Sequence, residues 1–197
     1  MDNNPQHLDA AFWQQRYQTG DTGWDLGAPS PPMVSFADTL SDTSVRILIP
    51  GCGNAWEAEY LLEKGCKNVT LIDIAEGAVQ TLREKFAGHP AVHVVHGDFF
   101  EHKGEYDLIL EQTFFCALDP VLRPAYVKQA ARLLSPGGRI CGLLFNVEFP
   151  FQGPPFGGTL SEYESLFQTA FDFSFSPCLD SHPKRAGQEF WVEIHKK

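Results

Sequence analysis

The feature that most constrains the fold is an alternation of short apolar runs with helix-length segments. The runs predict buried strands at residues 45–49, 68–72, 92–95, 106–110 and 139–145. Helical patterns separate most of them, at residues 56–64, 75–86 and 120–134. This alternation is typical of a parallel sheet with helices on both faces. The sequence therefore predicts a doubly wound, Rossmann-like α/β fold.

The C-terminal part predicts a change of strand direction. After a predicted helix at 160–170, two segments alternate apolar and polar residues, at 171–175 and 188–195. Only a loop lies between these two segments, and a connection that short joins antiparallel strands. We therefore expect a mixed sheet of seven strands, with the last one antiparallel.

The N-terminal part has a different pattern. A short helix is predicted at 9–17, and Asp9 can cap it. A loop rich in Gly and Pro follows at 20–32, and another helix is expected at 33–40. The 197 residues suit a single domain, divided into an N-terminal helical segment at 1–40 and an α/β domain at 41–197.

Composition excludes several classes of function. A net charge of −10 disfavours binding to nucleic acids and to anionic membranes. The five cysteines form no C-x-x-C pair, and the seven histidines show no metal-ligand spacing, so we expect neither a disulfide framework nor a metal site. No signal peptide or membrane-spanning run is evident, which predicts a soluble, cytoplasmic protein.

The predicted strands deliver glycines and acids to one edge of the sheet. Gly51 and Gly53 follow the first strand, and Asp73 ends the second. Asp98 follows the third strand and Glu111 ends the fourth. Ligands of such sheets bind outside the carboxyl ends of the strands, where glycines allow close approach and an acid suits ribose hydroxyls. The joint placement favours a nucleoside-type cofactor.

Each of these residues also has a purely structural interpretation. The glycines can serve a turn, Asp73 can cap the helix that follows it, and Asp98 can shape a turn. Glu111 can lie at a solvated edge. A dinucleotide is disfavoured, because Trp56 stands where the third glycine of its fingerprint belongs.

Longer stretches resemble a known family. The glycine loop, the acid ending the second strand and the closing antiparallel strand resemble class I S-adenosylmethionine-dependent methyltransferases. More specific stretches resemble the thiopurine S-methyltransferase family, and are most similar to its thiol and halide methyltransferase branch. They are FWQQRYQTGDTGWDLGAPSP (12–31), LIPGCGNAWEAEYLLEKG (48–65), YDLILEQTFFCALDPVLRPAYVKQAARLLSPGG (106–138) and GPPFGGTLSEYESLF (153–167).

The resemblance implies S-adenosylmethionine as cofactor and a role for each matched residue. Segment 1–40 would be a lid over the cofactor. The implied cofactor-binding residues are Trp13, Trp24, Gly51, Gly53, Asp73, Asp98, Phe99 and Glu111. The implied catalytic residues, near the transferred methyl, are Trp13, Tyr17 and Glu111. No metal is implied.

The acceptor is expected to be a small, soft nucleophile: a thiol, sulfide, thiocyanate, halide or thiopurine. Gln112 stands where the thiopurine branch has an arginine, so a fixed positive charge for an anionic aromatic substrate is missing there. The aromatic residues expected to wall the pocket are Phe114, Phe115, Phe149, Phe151 and Phe156.

Several alternatives stay open at this point. They are another small O- or N-acceptor, and a non-catalytic protein that binds S-adenosylmethionine. A general base is not identified, with Tyr17, Tyr163 and the histidines as candidates. The expected partner is a small-molecule substrate, and the expected state is a monomer or small homo-oligomer.

Overall fold

The computed structural model describes residues 8–197. Residues 1–7, which belong to the predicted segment 1–40, lie outside the described residues. The helices are Ala10–Thr19 (α1), Pro31–Thr39 (α2), Trp56–Glu63 (α3), Glu76–Lys85 (α4), Arg123–Leu133 (α5) and Leu160–Phe167 (α6). The strands are Arg46–Pro50 (β1), Asn68–Asp73 (β2), Val92–His96 (β3), Tyr106–Gln112 (β4), Leu134–Phe145 (β5), Phe171–Pro177 (β6) and Glu189–Lys196 (β7).

All seven strands form one sheet in the order β3-β2-β1-β4-β5-β7-β6. Strands β1 to β5 pair in parallel, whereas β7 pairs antiparallel with both β5 and β6. The predicted mixed sheet with an antiparallel last strand is therefore confirmed. Strand order reverses between β1 and β4, so a crevice is expected outside the carboxyl ends of these strands.

The core lies on both faces of the sheet, because successive side chains of a strand point to opposite sides. In β1, Ile47 and Ile49 face the layer of α2, α3 and α4, and Leu48 faces the layer of α5 and α6. All three side chains are buried. This placement explains why β1 appears in the sequence as a continuous apolar run.

Two predicted boundaries differ from the structure. The helix predicted at 120–134 begins with a 3-10 turn at Pro120–Leu122, whose first N–H groups Asp119 caps, and α5 follows it. The strand predicted at 139–145 begins at Leu134 instead. Its register against β4 shifts between Tyr106 and Leu108, so Pro136-Gly137-Gly138 forms an irregularity within the strand.

The N-terminal segment packs on the α/β domain. Asp9 caps α1 by accepting a hydrogen bond from the Phe12 N–H at 2.9 Å. Gln14 on α1 accepts a bond from the Gly77 N–H at 2.8 Å, which fixes α1 to α4. Among residues 8–197, no helix has the length and apolar character needed to cross a membrane.

Candidate active site

A cavity of about 690 Å³ lies outside the carboxyl ends of the parallel strands. Part of its wall comes from α1 and the loop after it; we call residues 8–30 the N-terminal cover. The predicted site residues in the cavity wall are Trp13, Tyr17, Trp24, Gly51, Asp73, Asp98 and Phe99. The fold therefore brings the N-terminal aromatic residues next to the residues that end or follow β1, β2 and β3.

The glycine loop after β1 has a backbone conformation that residues with a side chain rarely adopt. Gly51 has φ +54° and Gly53 has φ +51°. A Cβ atom on Gly51 would collide with the Phe114 ring. A Cβ atom on Gly53 would lie 3.0 Å from the Tyr17 hydroxyl. Glycine at position 51 is thus favoured by both conformation and close approach, and at position 53 mainly by conformation.

Asp73 both organises this loop and lines the cavity. Its side chain is buried, and Oδ2 accepts a hydrogen bond from the Gly53 N–H at 3.0 Å. Oδ1 accepts one from the Ala75 N–H at 2.9 Å, so Asp73 also caps the turn before α4. Burial raises the pKa of this carboxyl, and the N–H donors oppose that rise. Each carboxylate oxygen has a second lone pair that a ligand hydroxyl can use.

Asp98 and Phe99 follow β3 at the other side of the loop. Asp98 is exposed, and its Oδ1 accepts a hydrogen bond from the Phe100 N–H at 2.8 Å. Phe99 is 4% exposed and stacks on Tyr126 with ring centroids 5.5 Å apart. The Phe99 side chain therefore belongs mostly to the core, whereas the Asp98 carboxylate keeps acceptor capacity at the cavity.

The rings of the N-terminal cover pack against one another. Trp24 lies edge-to-face with Trp13 at 5.5 Å and with Tyr17 at 5.8 Å between centroids. The Arg16 guanidinium lies 5.1 Å from the Trp24 ring centroid. Such edge-to-face and cation–π contacts stabilise a defined arrangement of rings. Trp24 is thus the centre of the aromatic wall that the cover presents to the cavity.

Trp56, which replaces the third glycine of a dinucleotide fingerprint, holds the cover in place. Its Nε1–H donates to Asp25 Oδ1 at 2.7 Å. Asp25 also accepts a hydrogen bond from the Asn54 side chain. Lys85 lies 4.2 Å from the Trp56 ring centroid. Trp56 therefore connects the start of α3, just after the glycine loop, to the cover. The sequence did not predict this role.

Neither tyrosine proposed as a base is placed to act as one. Burial, and next the negative charge of Asp73, raise the pKa of Tyr17, so its hydroxyl stays protonated at neutral pH. Tyr163 is buried away from the cavity wall and donates its hydroxyl to the Phe145 carbonyl at 2.7 Å. Tyr17 can donate a hydrogen bond, but it does not accept a proton under these conditions.

Glu111 lies behind the cavity wall rather than in it. It is 1% exposed, which also excludes the solvated-edge interpretation. Its carboxylate accepts hydrogen bonds from the Phe114 and Phe115 N–H groups, at 3.0 and 2.8 Å, and from the Tyr126 hydroxyl at 2.9 Å. Burial raises its pKa to about 7. The side chain supports the turn in which Thr113 has φ +63° and does not face the cavity.

The other half of the cavity is formed by residues that the sequence analysis did not single out. They follow β4, end or follow β5, or precede β7: Thr113, Cys116, Ala117, Phe145, Pro154, Pro155 and Arg185. Of the five phenylalanines expected as walls, only Phe114 lines the cavity. Phe115 is buried in the core, and Phe149 and Phe151 stack on each other with centroids 5.0 Å apart.

Arg185 places a buried guanidinium at the cavity wall, beside the buried carboxylate of Glu189. It is 8% exposed, and its Nη2 donates to the Trp24 carbonyl at 2.8 Å. Its Nη1 lies 3.6 Å from Glu189 Oε1 and has no hydrogen-bond partner within residues 8–197. Gln112 accepts a bond from the Ser30 hydroxyl at 3.0 Å, on the N-terminal segment. The one available signal for Arg185 was a basic residue in the loop between the last two strands, β6 and β7.

Comparison with known proteins is consistent with this geometry. The family model described as "Thiopurine S-methyltransferase (TPMT)" matches residues 8–191. The chain is 34% identical to "Probable thiol methyltransferase 2" of Arabidopsis thaliana, over 78% of this chain and 70% of that protein. It is 30% identical to "Thiocyanate methyltransferase 1" of Brassica oleracea, over 82% of this chain and 74% of that protein.

A solved structure shows the same fold. It is a 1,6-didemethyltoxoflavin-N1-methyltransferase of Burkholderia thailandensis with S-adenosylhomocysteine bound, with a TM-score of 0.73 and 22% identity. The match covers 95% of this chain and 86% of that one. Given the family match over residues 8–191, this chain belongs to the thiopurine S-methyltransferase family of S-adenosylmethionine-dependent methyltransferases.

Proposed function

We propose that this enzyme transfers the methyl group of S-adenosylmethionine to a small, soft nucleophile that arrives as an anion: a thiolate, hydrosulfide, thiocyanate or halide. The observation that carries the proposal is the chemistry of one half of the cavity, which we call the acceptor half. It is formed by Thr113, Cys116, Ala117, Phe145, Pro154, Pro155 and Arg185. It combines apolar walls and a buried guanidinium with no side chain free to remove a proton. The names of the thiol and thiocyanate methyltransferase relatives support the same class of acceptor.

The residues after β1, β2 and β3 suit the cofactor. Gly51 and Gly53 let the backbone approach the methionine part, as the positive φ angles and close contacts of both positions require. Asp73 holds the ribose hydroxyls with its remaining lone pairs, and Asp98, with Phe99 beside it, accepts a hydrogen bond from the adenine amine. When bound, the cofactor supplies a sulfonium methyl, and transfer breaks the sulfur–methyl bond as the acceptor lone pair forms the new one.

The carboxylates of the cavity wall all take part in structural hydrogen bonds, and the free lone pairs of Asp73 and Asp98 are those proposed to hold the cofactor. Each accepts one or more backbone N–H groups: Asp9, Asp73, Asp98 and Asp119. The described cavity wall contains no histidine. With Tyr17 protonated, no group stands ready as a general base. An alcohol or an amine would need one, whereas a thiol with a pKa of about 8.5 ionises readily.

The cover excludes water from the reaction. Trp13 and Trp24 present aromatic faces to the cavity, and rings of this kind suit a sulfonium cation. Attack by an anion neutralises charge in the transition state, and a dry, apolar cavity favours that change because low dielectric strengthens the attraction of the two ions. We propose that Trp13, Trp24 and the Tyr17 hydroxyl position the reactants, and that Glu111 acts only through the turn it supports.

Three further properties belong to this proposal. Segment 1–40 acts as a lid that opens for exchange of cofactor and product, over the α/β domain at 41–197. The enzyme works in the cytoplasm, which is supported by five cysteines without a disulfide. It works as a monomer or small homo-oligomer on a small molecule, without nucleic acid or membrane, in line with its net charge of −10.

An acceptor panel tests the proposed function. The purified protein receives S-adenosylmethionine with hydrosulfide, thiocyanate, iodide, a small thiol or a thiopurine, and in parallel with a small alcohol or amine. We expect S-adenosylhomocysteine to form with the soft nucleophiles and not with the alcohol or the amine. Turnover of the alcohol or amine alone would favour the O- or N-acceptor alternative. Cofactor binding without turnover of any acceptor would contradict the proposed function.

A further inference from the structure

We propose that Arg16 binds the α-carboxylate in the methionine part of the cofactor, and that this contact selects S-adenosylmethionine and S-adenosylhomocysteine over nucleosides that lack the carboxylate. This role of Arg16 rests on the proposed function, which places the methionine part of the cofactor beside the glycine loop. It does not depend on which acceptor the enzyme methylates.

The charged side chains of the cavity wall leave one guanidinium that a ligand can reach. The acids of the wall are Asp9, Asp73, Asp98 and Asp119. Its cations are Arg16 and Arg185. The Arg185 guanidinium is buried against Glu189 and bound to the Trp24 carbonyl, so it is not open to a ligand. The Arg16 side chain is 24% exposed and is therefore the accessible cation in the wall formed by residues 8–197.

The cover places Arg16 near the glycine loop. The Arg16 guanidinium carbon lies 5.1 Å from the Trp24 ring centroid. Trp24 Nε1 in turn lies 3.9 Å from the Cβ position of Gly53, and the hydroxyl of Tyr17, the next residue of α1, lies 3.0 Å from it. Trp24 thus contacts both the guanidinium and the glycine loop. Arg16 therefore lies at the end of the cavity that we propose for the methionine part.

Asp21 and two aromatic rings hold the guanidinium in one orientation. Arg16 Nε donates to the Asp21 carbonyl at 3.1 Å, and Nη2 lies 3.2 Å from Asp21 Oδ2. The guanidinium carbon lies 5.7 Å from the Phe12 ring centroid, in addition to its contact with Trp24. An arginine has five N–H donors, and each contact with Asp21 uses one of them. The Nη1 donors take part in neither contact, which leaves them for a ligand.

A carboxylate is the group that suits such a guanidinium. The planar donors of arginine match carboxylate geometry, and charge-assisted hydrogen bonds of this kind are stronger than neutral ones. The Asp21 side chain is 64% exposed, so water screens its pairing with Arg16 and leaves the guanidinium attractive to a second anion. The α-carboxylate is the anionic group of the cofactor, whereas its amine and its sulfonium are cations. Arg16 therefore complements the carboxylate, and the acids of the wall complement the cations.

Calorimetry with two ligands tests this role without turnover. One ligand is S-adenosylhomocysteine, and the other is its decarboxylated analogue, which keeps the nucleoside, the thioether and the amine. For the wild type, the loss of a charge-assisted hydrogen bond predicts at least about tenfold weaker binding of the analogue. Arg16→Gln is expected to bind the two ligands with similar affinity. Arg16→Lys, which keeps the charge but not the fork, is expected to retain part of the preference.

The ratio of the two affinities separates contact with the ligand from a purely structural role. If Arg16 only supported the cover through Trp24 and Asp21, its substitution would weaken both ligands equally and leave the ratio unchanged. That result, or a wild type without the preference, would overturn the proposal. Arg83→Gln removes an exposed arginine of α4 and is the control for net charge, with the full preference expected.

Thermal unfolding shows whether each variant is folded, and Arg16→Lys provides the test if Arg16→Gln does not fold. The preference is scored apart from the acceptor panel. Turnover of soft nucleophiles by an enzyme without the preference contradicts only the role of Arg16. The preference without turnover of any acceptor contradicts only the proposed function.

Discussion

The two halves of the cavity differ in how their residues are brought together. In the cofactor half, Gly51, Gly53 and Asp73 each lie within three residues of the end of a strand. In the acceptor half, Cys116 and Arg185 come from separate loops and meet only through tertiary packing. A local pattern determines the first half, whereas the second depends on contacts between distant segments. The part we propose for the cofactor is therefore readable from local patterns, whereas the part we propose for the acceptor is not.

The largest expected effect tests whether the cofactor half depends on its glycine backbone. Gly51→Ala combines a left-handed backbone with a collision against Phe114. Together these effects cost about 4 kcal/mol. We expect a large loss of unfolding free energy and of cofactor affinity, measured by denaturant titration and calorimetry.

Gly88→Ala is the matched control for that substitution. Gly88 has φ +72°, but a Cβ atom there would meet nothing within 4 Å. It carries the backbone strain without the collision, so we expect a loss of only about 1–2 kcal/mol and unchanged cofactor affinity. Equal effects of the two substitutions would show that close approach at Gly51 does not matter.

A second substitution tests whether Glu111 supports the turn behind the cavity wall rather than taking part in the chemistry. The pKa of Glu111 is about 7 in the fold and near 4.5 when unfolded. Between these values only the folded state holds the proton, so stability falls as pH rises through 4.5–7, by about 3 kcal/mol. Glu111→Gln is expected to remove this part of the pH dependence.

The measurement for Glu111 is the change in unfolding free energy between pH 4.5 and pH 8, compared between the wild type and Glu111→Gln. Other titrating groups contribute equally to both proteins and cancel in the comparison. An identical pH dependence in the two proteins would show that burial does not raise the pKa of Glu111. Loss of methyl transfer in a variant that remains fully folded and binds cofactor would return Glu111 to the catalytic residues.

The third substitution addresses the cover that joins the two halves. Trp24→Ala removes two edge-to-face ring contacts, with Trp13 and with Tyr17, together worth about 2 kcal/mol. The main-chain bond from Arg185 is preserved. We expect about 30-fold weaker binding of S-adenosylhomocysteine by calorimetry. Trp24→Phe should recover most of it, and wild-type affinity in Trp24→Ala would contradict the proposed role of the cover.

The smallest expected effect concerns the Tyr17 hydroxyl. Because its pKa is raised, Tyr17 donates a hydrogen bond and removes no proton. Tyr17→Phe should lower kcat/KM by less than about tenfold, the value of one hydrogen bond, with an unchanged pH profile for thiocyanate. A fall of about 100-fold or more, as for a general base, would contradict this assignment.

The sequence predicted the sheet, and it placed Gly51, Asp73 and Asp98 at one edge of it, because both depend on local patterns. Apolar runs such as 45–49 are long enough to show strands buried on both faces, and glycines or acids mark their ends. Asp73 has both of the positions considered for it: it caps the turn before α4, and it lines the cavity.

The sequence did not predict the residues of the acceptor half, and the reason is physical. Arg185 is recognisable only by its burial and by its bond to Trp24, which the sequence does not encode locally. Glu111 was misplaced because an acid at a strand end was expected to face the ligand. Its side chain instead points to the layer of α5, where Tyr126 donates to it. Trp56 was interpreted only as an obstacle to a dinucleotide, and its hydrogen bond to Asp25 became visible only in the fold.

Iodide in crystals of the complex with S-adenosylhomocysteine tests the central claim most directly, because iodide is both a proposed acceptor and a strong anomalous scatterer. Our account predicts an anomalous peak inside the cavity, between the Phe145 ring and the cofactor sulfur, that thiocyanate displaces. Iodide bound only outside the cavity, at concentrations that support turnover, would contradict it.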